Sequence, residues 1–182
     1  MLGKLATQVA TERSDLLAEP VLKALRTWPS DAANMVLVAP IDAELADTAA
    51  FCAAYDVALD ASANCVVIAG RREGEVRYAA CVVLATTRAD VNGLARRHLN
   101  VRKASFAPMN EAVELTAMEY GGITCIGLPA GWPILVDAAV AASDAVVIGS
   151  GVRRSKIVLP GAALTHLPGA TILDGLGQPI PA

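Results

Sequence analysis

The residues best placed to do chemistry in this chain are glycines rather than histidines. Tyr120-Gly121-Gly122-Ile123-Thr124-Cys125-Ile126-Gly127-Leu128-Pro129 places three glycines within seven residues. Glycine lets main-chain N–H groups come close to a ligand. Such a loop can hold an anion or an ester oxygen through its amides. The segment lacks the Lys of a phosphate-binding loop and the spacing of a dinucleotide fingerprint. On residue types alone a tight turn is the plainer reading. A second glycine site, Gly149-Ser150-Gly151, follows the apolar run Val146-Val147-Ile148 and also fits a hairpin turn. Asp137 closes Ile134-Leu135-Val136. Its carboxylate can meet a ligand amine, or cap the Ala-rich helix expected after it.

Other chemistries are poorly supplied. The chain has two histidines, His98 and His166, and neither lies in a nucleophile motif. Four scattered cysteines, Cys52, Cys65, Cys81 and Cys125, form no C-x-x-C pair and read mainly as buried thiols. Cys125 has no nearby His to lower its pKa, which makes it a poor nucleophile. No metal site and no cofactor are expected from this set. Aromatics are 4% of residues, too few for a platform stacking several bases.

Charge is unevenly spread. The chain carries −3 overall, with −5 in residues 1–60, +5 in residues 71–103 and −3 in residues 104–182. The basic stretch contains Arg71, Arg72, Arg77, Arg88, Arg96, Arg97, Arg102 and Lys103. It can face phosphates, or simply be a solvated face.

These groups must be positioned by a sizeable core. At 182 residues the chain is expected to form one domain. Mean hydropathy is +0.47 and charged residues are 18%, so disorder is not expected. No apolar run reaches 18 residues, and the N-terminus lacks a signal-peptide core. No membrane span is expected, and the expected compartment is the cytoplasm. Leu16, Leu17, Val21, Leu22 and Leu25 recur at helical spacing, predicting helix over 5–28 in which Pro20 makes a break or starts a second helix near Glu19. Further helices are expected over 42–55 (capped by Asp42), 90–99, 110–117 (capped by Asn110) and 138–142. Strands are expected over 35–39, 65–69, 76–84, 104–106, 134–136, 146–148, 157–159 and 171–173, with a hairpin turn at 71–74. The mixture predicts a single α+β domain with a mixed sheet or partial barrel.

The order of these pieces resembles a known family. Arg102-Lys103-Ala104-Ser105-Phe106-Ala107 leads to a helix ending Glu114-Leu115-Thr116. Next come Gly121-Gly122-Ile123-Thr124-x-Ile126-Gly127, Leu135-Val136-Asp137, Gly149-Ser150-Gly151 and Lys156-Ile157-Val158-Leu159. Over roughly residues 60–165 this resembles the YbaK and prolyl-tRNA editing family of aminoacyl-tRNA deacylases. The resemblance implies one YbaK-like α+β domain over 1–182, with a curved mixed sheet or partial barrel surrounded by helices. It also implies hydrolysis of the ester that joins a wrong amino acid to a tRNA 3′ adenosine. Gly121, Gly122 and Gly127 then supply catalytic main-chain donors. Asn64, Thr124, Cys125, Asp137, Gly149, Ser150 and Gly151 line the substrate pocket. Arg71, Arg72, Arg96, Arg97, Arg102 and Lys103 face tRNA. The implied partners are mischarged tRNA and an aminoacyl-tRNA synthetase. Two positions depart from the pattern: Asn64 stands where the family has a Lys, and Cys125 where its loop has a Pro. A neutral amide in place of a cation predicts a weaker or differently selective deacylase. It also leaves open a module that binds an amino acid, a nucleotide or a tRNA end without turnover.

Overall fold

The apolar strands of this chain carry large side chains on both faces, and the fold uses both. The computed structural model describes residues 2–180. Strands β1 (Gln8–Val9), β2 (Leu37–Pro40), β8 (Val146–Gly149) and β9 (Ser155–Leu159) form an antiparallel sheet in the order β1-β2-β9-β8. A mixed sheet is built from β3 (Ala63–Arg72), β4 (Glu75–Leu84), β6 (Ala104–Phe106), β7 (Ile134–Asp137) and β10 (Ala170–Leu173), in the order β10-β7-β4-β3-β6. In it β7 lies parallel to β4 and β10, while β3 is antiparallel to β4 and β6. β5 (Thr87–Ala89) and β11 (Gly177–Pro179) pair separately. A parallel bridge from Ser62 to Val147 links the two large sheets, which do not close into a barrel.

The principal core lies between the sheets. Val82, Ile134, Val136, Ile148, Ile157 and Leu159 meet there. Alternate residues point the other way, as strand pleating requires. Cys81, Val83 and Leu135 pack against Val91, Ala95 and Leu99. Val147 and Val158 pack against Phe51 and Cys52. Burial on both faces explains why these strands read as unbroken apolar runs.

Six α-helices decorate the sheets among the described residues: α1 (Glu19–Leu25), α2 (Ser30–Asn34), α3 (Thr48–Tyr55), α4 (Arg96–Leu99), α5 (Met109–Thr116) and α6 (Ala138–Ala141). None is long and apolar enough to cross a membrane. The expected helix over 5–28 is corrected. Residues 8–9 form β1, two 3-10 turns follow, and helix begins only at Glu19 beside Pro20. The open side of β2 captures this segment through Gln8 and Val9, a long-range pairing that local periodicity does not register. The expected helix over 42–55 is divided. Asp42 caps a 3-10 turn, while Asp47 caps α3 through Ala49 and Ala50 N–H. Residues 91–95 form a π-helical turn capped by Asp90, before α4. No side chain caps α5, so Asn110 does not have the expected role. β5 and β11 were not expected from the sequence.

Candidate functional site

The two glycine segments meet backbone to backbone. Gly151 N–H donates to Gly122 O at 2.7 Å, and Glu119 N–H to Gly151 O at 2.9 Å. A Cβ on Gly122 would lie 2.7 Å from the Val152 carbonyl, and one on Gly149 2.6 Å from Gly122 O. Both distances are prohibitively short, so these glycines are required for one loop to dock on the other. Arg153 clamps the join: its guanidinium donates to Tyr120 O and Ala43 O, and its N–H donates to Glu119 Oε2. Gly121 sits at the edge with φ +78°, where a side chain would be strained and would strike Arg153.

This junction forms one wall of a cavity of about 310 Å³. Gly121, Ile123 and Gly149 line one side, Asn64 to Val67 of β3 another. Asp47 and Thr48 come from the start of α3, and Phe106, Met109 and Tyr120 form an exposed rim. Asn64 does not fold back on its own backbone. Its Oδ1 accepts from Thr48 Oγ1 at 2.7 Å, which leaves the amide N–H groups for a ligand. Neither Gly121 nor Ile123 N–H donates to a protein acceptor among the described residues.

Sequence reasoning overlooked the cavity's cation. Lys156 alternates with Ile157 on β9 and so shares the face of Val158, toward α3. It is 8% exposed and lines the cavity. Its Nζ donates to Ala46 O at 3.0 Å and stands 5.4 Å from the Phe51 ring centroid. Burial pushes its pKa below the ordinary lysine value, and Arg153 adds to that, against Cys52 and Asp47. The available signal was a lysine inside a strand whose other residues are mostly apolar. Charged residues are rarely buried there without a reason.

The structure brings Asn64, Gly121 and Gly149 of the expected pocket set together and places the others elsewhere. Gly122 is buried in the loop junction. Gly151 is closed against Ala18. Ser150 is buried in a hydroxyl network with Ser155, which bonds Leu16 O. Thr124 is fully buried, and its hydroxyl finds no partner among the described residues. Cys125 and Gly127 line a separate cavity of about 200 Å³ beside Trp28. Burial raises the Cys125 thiol to about 12, so it carries no thiolate at neutral pH. Asp137 uses one oxygen to cap α6 through Ala139 N–H and the other to accept from Gly177 N–H. That is the capping reading: both oxygens are engaged within the chain, and Asp137 does not line the cavity. Neither histidine lines the main cavity. Among the described residues no three His, Cys, Asp or Glu side chains gather as a metal-binding group.

Five of the six expected basic residues form one continuous surface. Arg71, Arg72, Arg96 and Arg102 line a groove of about 440 Å³. Arg71, Arg102 and Lys103 line an adjoining one of about 790 Å³. Arg97 is exposed but belongs to neither. Strand β6 joins the regions: Lys103, Ala104 and Ser105 face the basic groove, while Phe106 and Ala107 face the cavity.

A family model for aminoacyl-tRNA editing domains matches residues 42–167. The chain belongs to that family. Its fold is similar to that of a candidate trans-editing enzyme for prolyl-tRNA synthetase, at 22% identity and TM-score 0.70 over 88% of this chain and 96% of that one. It is similar too to the hypothetical protein APE2540, at 19% identity and TM-score 0.70 over 85% and 99%. In a candidate signal transduction protein from Marinobacter aquaeolei VT8, the likeness covers 85% of this chain and 30% of that one (20% identity, TM-score 0.53). No curated protein matches the sequence. These likenesses establish a YbaK-like fold.

Proposed function

We propose that the chain is a trans-acting deacylase that hydrolyses the ester of mischarged tRNA. The observation that carries this reading is a cavity of convergent donors set beside a basic groove. Asn64 and Lys156 line one space with Gly121 and Ile123, whose main-chain N–H groups have no protein acceptor among the described residues. Ester hydrolysis by water needs an oriented carbonyl and donors for the oxyanion that forms on it. Asp47 is the only carboxylate on the cavity wall among the described residues. Its Oδ1 caps α3, which leaves Oδ2 to meet the α-ammonium of the aminoacyl group. The 3′ end enters over the Phe106 and Tyr120 rim, and the preceding phosphates follow β6 into the groove of Arg71, Arg102 and Lys103. An aminoacyl-tRNA synthetase is the source of such a substrate and the second partner of this reading.

One observation favours the binding module instead. No histidine lines the cavity, and burial raises Cys65, its one thiol among the described residues, well above the ordinary range. The deacylase reading therefore relies on a substrate ribose hydroxyl to assist the water. A deacylation panel of mischarged tRNAs with the purified chain separates the two. Turnover of at least one member is expected; binding without turnover across the panel selects the module.

A further inference from the structure

A buried ammonium needs an anion or several acceptors. Lys156 carries three N–H donors, and the described residues give it one acceptor, Ala46 O. No carboxylate lies within 4.0 Å of its Nζ among the described residues. The Phe51 ring face adds a weak attraction from one side. The remaining side is the cavity. A purely structural bond to Ala46 O could be made by a neutral donor without burying charge. The one carboxylate of the wall among the described residues, Asp47, acts on Lys156 only from beyond ion-pair distance and spends Oδ1 on capping α3, and Gly149, directly opposite Lys156 across β8 and β9, has no side chain.

We infer that Lys156 is the charged anchor of this cavity and holds an anionic oxygen of the substrate. The sequence had assigned a neutral amide, Asn64, to this pocket. The structure supplies the cation from a different strand, β9, in the other large sheet. Two oxygens of the substrate have the required charge. One is the phosphate of the 3′-terminal nucleotide, present before reaction. The other is the oxyanion formed when water adds to the ester carbonyl: the carbonyl π pair moves to oxygen, and it returns as the ribose oxygen leaves with a proton. The first depends only on the cavity. The second rests on the deacylase reading above.

The test compares wild type with Lys156→Met, Lys156→Gln and Lys156→Arg in the full chain. Binding of adenosine 5′-monophosphate and of adenosine is measured by calorimetry, and single-turnover hydrolysis is measured on a mischarged tRNA. Lys156→Gln can still donate to Ala46 O without charge, and it replaces Lys156→Met in every comparison if the latter fails to fold. A phosphate anchor is expected to cost the neutral variants about tenfold or more in affinity for the monophosphate, with adenosine unchanged and Lys156→Arg close to wild type. An oxyanion anchor leaves both affinities unchanged and lowers the hydrolysis rate by about tenfold or more at constant KM. Neutral variants that match wild type in both measurements overturn the inference, and Lys156 is then a structural lysine. A wild type without turnover whose monophosphate binding still depends on Lys156 sinks the deacylase reading and leaves this one standing.

Discussion

Two sets of cations bear on the proposed site, the exposed arginines and Lys156, and they differ in number, exposure and bonding. The arginines around the β3–β4 tip and α4 are numerous, mostly exposed and held loosely. Arg72 reaches Asn100 and Glu73, and Arg96 reaches Asn92 O. Exposed pairs of that kind contribute at most about 1 kcal/mol each, because water competes for both partners. Lys156 is alone, buried and bonded to a single carbonyl. Counting charges along the chain finds the first group and gives the second almost no weight. The comparison shows that local leverage depends on desolvation rather than on number. The exposed group attracts any polyanion at long range, whereas the buried one acts on whatever fits the cavity.

The largest expected effect comes from the wall behind Lys156. Gly122→Val drives a branched side chain into the Val152 backbone, separates the two glycine loops and removes Gly149 from the cavity. Overpacking of this kind costs roughly 1–3 kcal/mol, so urea unfolding should shift to a lower midpoint and deacylation should be lost. A Gly122→Val protein with wild-type stability and activity would show that the loop junction does not shape the site.

Next in size is the exposed group. Replacing Arg96, Arg97 and Arg102 with Ala should weaken binding to every tRNA about equally. It should also reduce the salt dependence of log K by about 0.7–0.9 for each phosphate no longer neutralised. Arg97 lines neither groove, so Arg97→Ala alone should do least. Equal contributions from all three would mean that the tRNA path runs outside the grooves.

Asn64→Ala removes a neutral donor and leaves Thr48 Oγ1 without its acceptor. A neutral hydrogen bond is worth about 1 kcal/mol, so about a fivefold loss of substrate affinity or rate is expected. A much larger loss would move the principal anchor from Lys156 to Asn64.

The smallest effect is a matter of pH. Lys156 has a lowered pKa in the folded chain, chiefly through burial. Between that folded value and the ordinary one, the unfolded chain holds more protons, so stability rises with pH across the window. Below the folded value the penalty is complete and constant. Melting temperatures of wild type and Lys156→Met should therefore converge or cross in the wild type's favour as pH rises through the alkaline range. Parallel curves would show that the ammonium is not desolvated.

Much of the fold was legible because it is written in local patterns. The strands Cys65–Ala69 and Val76–Leu84 were read from apolar runs on either side of a glycine turn, and the structure extends them to Ala63–Arg72 and Glu75–Leu84. Gly121-Gly122 and Gly149-Ser150-Gly151 were singled out separately, each from composition. Nothing local indicated that Gly151 N–H would meet Gly122 O, because that bond joins residues far apart in sequence.

The sequence by itself determined the alternation of apolar and polar residues, the glycines that permit close backbone approach, and a family likeness strong enough to name the fold. Those properties depend on side-chain size, on conformational freedom and on order along the chain. Only the tertiary structure decided which candidates share a cavity. It withdrew Asp137 into capping and Ser150 into a buried network, moved Cys125 and Gly127 to a different hollow, and set Lys156 and Asn64 in the wall of one cavity. The reason is geometric. β9 lies between β2 and β8, so one pleat of that strand faces the main core and the next faces α3. Which of the two carried the cation to the site depended on strand pairings made across more than a hundred residues.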